Sequence, residues 1–219
     1  MTQRALLVHG FASSFEATWA EAGWPEFLAD IDIETVSFEL PGHGSSPLAG
    51  DTAREDVVQA LLDAGRDADL AIGFSAGSAL LLHAAIHAPD AFARLALLGI
   101  GDGMWPADGT GKALSARLLG EDDDETTRLL RSMAASAGNR LEAIAAYART
   151  SLGPPALTEL SGLAAPVLIV LGERDTVGPT DAIISALPRA SATTLPRVDH
   201  YRTPDAPAAM SAVMDFVAG

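Results

Sequence analysis

The feature that most constrains this chain is an alternation. Short apolar runs at Ala5–Val8, Glu34–Phe38, Leu70–Gly73, Leu95–Leu98, Val167–Leu171 and, more weakly, Ala192–Leu195 are separated by longer helix-type patterns. Continuous Leu/Val/Ile runs are what strands buried on both faces look like. The helical patterns fall at about Glu16–Asp30, Thr52–Ala64, Ser78–Ala88, Thr180–Ala186 and Pro204–Val217. A right-twisted strand that feeds a helix packs back onto its own sheet with one hand only, so such alternation implies right-handed crossovers. The expectation is an α/β fold of about six mostly parallel strands flanked by helices on both faces.

One segment breaks the alternation. From Asp102 to Leu163 helical patterns recur without a convincing strand, at Lys112–Leu119, Asp124–Ala137, Arg140–Thr150 and Ala156–Leu163. Gly120, Gly138 and Gly153-Pro154-Pro155 punctuate them. Residues 102–163 read as a compact all-helical cap inserted within a single domain spanning 1–219. The acidic run Glu121-Asp122-Asp123-Asp124-Glu125 reads as a solvated loop and helix start, where carboxylates favour the helix dipole. It is not read as a metal site.

Composition narrows the function classes. With 29 acidic and 14 basic residues the chain carries a formal charge of −15. Such a surface repels phosphate backbones and anionic lipid, so neither nucleic acid nor a membrane surface is an expected partner. There is no cysteine, which removes disulfides, thiol nucleophiles and zinc–thiolate sites. The strand-like run Arg4–Val8 leaves no room before it for a signal peptide, and a cytoplasmic location is expected. The oligomeric state has no signature.

The chemistry concentrates around Gly73-Phe74-Ser75-Ala76-Gly77, where a strand pattern passes directly into an alanine- and leucine-rich helix pattern. A Ser there is a good helix cap. It is also lifted above the carboxyl end of its strand, with the first free N–H groups of the helix beside it, where an anion is stabilised. Ser is a weak nucleophile and needs a base, and the base needs an orienting acid. Of the five His residues, His83 and His87 sit on an apolar helix and read as packing residues. His9 follows the first strand, and His43 lies in the loop Leu40–Ser45. His200, alone in the loop after the last strand, is the preferred base. The preferred acid is Asp175, in Gly172-Glu173-Arg174-Asp175 after the Val167–Leu171 strand. Asp102 and Asp199 are its rivals, although a sequence neighbour such as Asp199 points away from His200 in extended backbone. Two N–H groups, of Phe11 and Ala76, are the candidate oxyanion hole.

The order of these features is informative. Val8-His9-Gly10-Phe11, Pro41-Gly42-His43-Gly44-Ser45, the elbow at Ser75 and Leu171-Gly172-Glu173-Arg174-Asp175 together resemble the α/β-hydrolase superfamily, over nearly the whole chain. That resemblance implies a Ser–acid–His order and a helical cap at the place where residues 102–163 fall. It also implies eight strands; the runs for the family's first two are missing, hence the expectation of about six.

The expected activity is a serine hydrolase that cleaves a carboxylic ester or thioester of a small molecule, with no cofactor and no metal. Phe11, His43, Trp105, Met133 and Tyr147 are the candidate substrate contacts, and Met104 joins them as an apolar wall. The resemblance also admits a C–C bond or enol-lactone hydrolase and an eliminase like the menaquinone-pathway synthase. For that last reading Arg117, Arg128, Arg131, Arg140 and Arg149 would form a carboxylate clamp. A ligand receptor on the same fold is the non-enzymatic alternative.

Overall fold

A computed structural model describes residues 3–105, 110–120, 124–150 and 153–219. Glu121, Asp122 and Asp123 of the acidic run, and parts of the expected 102–163 segment, lie outside the described residues.

Six strands form one sheet: β1 (Gln3–Val8), β2 (Ile33–Phe38), β3 (Leu70–Phe74), β4 (Arg94–Leu98), β5 (Val167–Gly172) and β6 (Ala190–Leu195), in the order β2-β1-β3-β4-β5-β6. Every pairing is parallel. β3, β4 and β5 are buried almost throughout, which is why their sequences read as unbroken apolar runs. β6 is largely exposed and forms an edge, so its sequence signal is weak.

Helices α2 (Arg54–Ala64), α3 (Ala76–His87) and α7 (Asp181–Ala186) pack one face of the sheet, and α1 (Trp24–Ala29) and α8 (Pro207–Ala218) pack the other. The expected helix Glu16–Asp30 is two pieces, a π-helical turn at Glu16–Ala20 and then α1. Gly23, at φ +80°, reverses the backbone between them, and Pro25 starts the second.

Between β4 and β5 the described residues contain helices and no strand: a 3₁₀ turn at Asp102–Met104, α4 (Thr110–Leu119), α5 (Glu125–Ser136), α6 (Leu141–Thr150) and a second 3₁₀ stretch at Leu157–Gly162. α4, α5 and α6 share their own apolar cluster of Leu118, Leu130, Ala134, Ile144 and Ala145, which reaches Ala12 in the loop after β1. Gly50 lets α6 approach: a Cβ there would lie 1.9 Å from the carbonyl oxygen of Ala143.

The chain runs from β1 to β2 on one side and returns to β3 on the other, so the loops after β1 and β3 diverge. That divergence opens a crevice at the carboxyl ends of the strands, where α/β sheets hold ligands. Among the described residues no helix is long and apolar enough to cross a membrane.

Candidate active site

Ser75 stands at the junction of β3 and α3 with φ 52° and ψ −110°. Such a backbone costs about 1–3 kcal/mol for a residue with a side chain and persists only where its surroundings enforce it. The enforcement is visible: the Ser75 N–H donates to Leu98 O at 2.9 Å, and the turn is pressed between β1 and β4. A Cβ on Gly77 would lie 2.2 Å from Val8 O, and one on Gly73 would lie 2.7 Å from the Ser78 nitrogen. Only glycines let the turn close.

The Ser75 hydroxyl is 3.1 Å from Nε2 of His200, whose Nδ1 is 2.9 Å from Oδ2 of Asp175. A carboxylate only accepts, so Nδ1 carries the proton and Nε2 is left to accept from the hydroxyl. The Asp175 side chain is fully buried, and its second oxygen accepts the Val177 N–H at 3.0 Å. The loops that carry Asp175 and His200 are joined by their backbones, with Glu173 N–H donating to Leu195 O and Arg174 N–H to Val198 O, both at 2.9 Å. Trp24 Nε1 donates to Pro204 O and ties the His200 loop to α1. The rival Asp102 is elsewhere: its carboxylate accepts the N–H groups of Ala182 and Ile183, each at 3.0 Å, and so caps α7.

Phe11 and Ala76 line the same cavity as Ser75. Neither backbone N–H is taken by a hydrogen bond among the described residues. Ala76 is the first residue of α3, so its N–H has no intrahelical acceptor.

The loop that carries Phe11 is braced from behind by the loop after β2. Ala12 N–H donates to His43 Nε2, Phe15 N–H lies 3.2 Å from a Glu39 oxygen, and His9 Nε2 lies 2.7 Å from Glu39 Oε2. Burial raises the Glu39 pKa. Hydrogen bonding and charge from His9, then the N–H groups of Phe15 and Ser45, outweigh it and hold the carboxyl below its usual range. Asn139, just before α6, completes the brace by donating to Ser13 O at 2.8 Å and accepting from Gly44 N–H at 2.7 Å.

The cavity measures about 510 Å³ and is roofed by α4, α5 and α6. Phe11, Trp105 and Met133 line it, and so does Met104. His43 and Tyr147 do not, which corrects their assignment as substrate contacts. Each is about 1% exposed: Tyr147, on α6 of the roof, packs against His43 and Phe11. Tyr147 stacks on Phe11 and meets His43 edge-on, so both rings support the loop from the side away from the cavity. The arginine clamp of the eliminase alternative is not assembled in the cavity: of Arg117, Arg128, Arg131, Arg140 and Arg149, only Arg149 lines it. Arg117 pairs with Asp124, and Arg131 donates to the carbonyls of Leu118, Arg117 and Gly120. Sequence reasoning missed Glu39, Asn139 and Arg54, none of which sits in a recognisable motif. Among the described residues no three His, Asp or Glu side chains are grouped as a metal would require.

The sequence model of the alpha/beta hydrolase family matches residues 5–213. This chain belongs to the α/β-hydrolase family. Over 93 residues, 42% of this chain, it is 36% identical to a pimeloyl-[acyl-carrier protein] methyl ester esterase of Methylococcus capsulatus. The matched stretch spans 35% of that relative's length. Solved α/β hydrolases share the whole fold at lower identity. MenH from S. aureus superposes with a TM-score of 0.78 at 17% identity, over 100% of this chain and 94% of that one. The 2-hydroxy-6-oxo-6-phenylhexa-2,4-dienoate hydrolase of Rhodococcus sp. strain RHA1 gives 0.72 at 19%, over 100% and 91%. At these identities the likeness is one of fold.

Proposed function

We propose that this α/β hydrolase cleaves a carboxylic ester or thioester of a small molecule through an acyl-enzyme on Ser75. The observation that carries the reading is the line of hydrogen bonds from buried Asp175 through His200 to Ser75, ending in a cavity beside two unclaimed N–H groups. His200 Nε2 takes the hydroxyl proton as Oγ bonds to the substrate carbonyl carbon. The Asp175 carboxylate holds the tautomer and stabilises the imidazolium that forms. The carbonyl oxygen becomes an oxyanion and turns toward the N–H groups of Phe11 and Ala76, a donor of that kind contributing about 10²–10³ in rate. Collapse breaks the bond to the leaving alcohol or thiol, which departs with the proton from His200. Water then repeats the sequence on the acyl-enzyme and restores Ser75.

The named relative, a methyl ester esterase, supports an ester as the bond cleaved. The segment 102–163 acts in this reading as the cap that shapes the acyl pocket. C–C cleavage, enol-lactone opening, elimination and ligand reception would use the same cavity, and one experiment tests ester cleavage against them. Wild type and Ser75→Ala are treated with a fluorophosphonate and assayed on p-nitrophenyl esters, thioesters and lactones. A single adduct on the Ser75 peptide is expected, with ester turnover and its near-complete loss in Ser75→Ala. Labelling without turnover on any of these substrates would favour elimination, C–C cleavage or reception. An active Ser75→Ala protein would end the serine-hydrolase reading.

A further inference from the structure

The charged side chains lining the cavity are all cations: Arg54, Lys112 and Arg149. No Asp or Glu joins them among the described residues, in a chain whose acidic residues outnumber its basic ones 29 to 14. Composition alone would populate the wall the other way. From this juxtaposition, and resting on the hydrolase reading above, we infer that Arg54 is the receptor for an oxyanion group on the substrate, with Lys112 and Arg149 adding positive charge to the same cavity. The enzyme therefore selects esters whose molecule also bears a carboxylate or phosphate.

Arg54 is the centre of the site because nothing else explains its place. Its Nε is buried without a hydrogen-bond partner, and its guanidinium forms no ion pair among the described residues. A charged donor left unmade inside a protein is costly, so each such group calls for a function. The helix gives no reason either. Arg54 is the first residue of α2, and the positive end of a helix dipole disfavours a cation there. Arg54 lines the cavity, and a planar guanidinium there fits a carboxylate or phosphate in a bidentate manner. Arg149 is held by a neutral partner: its Nη1 donates to Ser115 Oγ at 3.0 Å, which orients the side chain, and it forms no ion pair among the described residues. The two arginines reach the same cavity from different elements, one from the sheet-packing helix α2 and one from α6 in the roof.

The same cavity holds Ser75, so the anion and the scissile carbonyl belong to one molecule of limited length. A remote anion bound in this way fixes the register of the carbonyl against Ser75. Its binding should then appear in kcat/KM as a chain-length optimum, which a general cation–anion attraction would not give.

The test compares p-nitrophenyl half-esters of succinate, glutarate, adipate and suberate, each with a free carboxylate, against the same series capped as neutral methyl esters. In the wild type the charged-to-neutral ratio of kcat/KM is expected to exceed about tenfold at one chain length, to fall with added salt, and to approach one in Arg54→Met. A merely structural role for Arg54 would lower both series together and leave the ratio unchanged. Competition by hexanoate against butyl phosphate distinguishes carboxylate from phosphate. Calorimetry of adipate with Ser75→Ala and with Ser75→Ala/Arg54→Met supplies a readout independent of turnover, on variants whose folding is checked by thermal melts. Adipate binding that requires Arg54 without turnover of any ester would sink the hydrolase reading and keep the anion site. Ester turnover with equal rates for charged and neutral series, or with a preference that survives Arg54→Met, would overturn the anion site and keep the hydrolase.

Discussion

The N–H of Ala12 donates to Nε2 of His43 at 3.1 Å, across 31 residues of sequence. The other nitrogen of that ring is 2.9 Å from Pro41 O, so it carries the proton and the ring is neutral. Protonation would turn the acceptor that faces Ala12 into a second donor. Burial, and then the nearby His9, push the His43 pKa down to about 3, against a smaller upward pull from the Pro41 carbonyl. Through this one hydrogen bond the Pro41–Ser45 loop holds the loop that presents Phe11.

A pH dependence of stability follows. Between pH 6.5 and about 3, unfolded His43 binds a proton that folded His43 does not. Stability therefore falls as pH drops through that window, by up to about 1.4 kcal/mol per pH unit from this group. His43→Gln keeps an acceptor for Ala12 but has no proton to gain. Melting curves from about pH 7 to about pH 4.5 should show a shallower decline for His43→Gln than for the wild type. Parallel declines would mean that His43 is protonated in the folded protein.

The two candidate acids separate by what their replacement damages. Asp175→Asn keeps one oxygen, which Val177 N–H claims, and turns an NH2 donor toward His200 Nδ1; kcat should drop by about 10⁴ while the fold survives. Asp102→Ala leaves two α7 amides without their cap. It should cost about 1 kcal/mol in a denaturant melt and keep kcat within about tenfold of the wild type. The reverse pattern would move the acid to the loop after β4.

The sheet was legible because its central strands are buried on both faces and announce themselves residue by residue. The tight strand-to-helix turn that carries Ser75 was legible because such a turn needs small residues at fixed offsets, here Gly73 and Gly77. Asp175 was singled out by its loop motif and the order of the strand-end loops, and His200 by its isolation after the last strand; their contact, 25 residues apart, leaves no pattern of its own. His43 and Tyr147 misled because sequence shows which loop or helix a side chain occupies, not which of its sides a roof will cover. Arg54 and Asn139 were illegible for the same reason. Arg54 takes its meaning from the cavity that α4, α5 and α6 roof, and Asn139 from the Ser13 and Gly44 loops it bridges.

Two glycines should respond in opposite ways to the same change. A methyl group on Gly77 meets the carbonyl oxygens of Val8 and His9 at 2.2 and 2.6 Å, and neither can yield without moving β1. Gly77→Ala should lower stability by about 2 kcal/mol or more and perturb Ser75 directly. Gly162 has nothing within 4 Å of the added carbon, so Gly162→Ala should be neutral or stabilise by up to about 1 kcal/mol. A stable, active Gly77→Ala enzyme would contradict the packing of the elbow against β1.

Met133 tests whether the helical roof sets acyl size. It lies on α5, half-buried, with one side against the cluster of Leu118 and Ile144 and another lining the cavity beside Leu130 and Leu114. An unbranched thioether adapts to irregular space, and the flat indole of Met133→Trp would fill part of that space rigidly. An acetyl group held near Ser75 would not reach α5, whereas a long acyl chain would. Losing the room for one methylene costs about 1–3 kcal/mol in a hydrophobic pocket. KM for a p-nitrophenyl octanoate should therefore rise by about tenfold or more in Met133→Trp, with acetate changed by less than about threefold. If both KM values rose together, the indole would have entered the α4–α6 cluster instead of the cavity, and the roof would not be what limits the acyl chain.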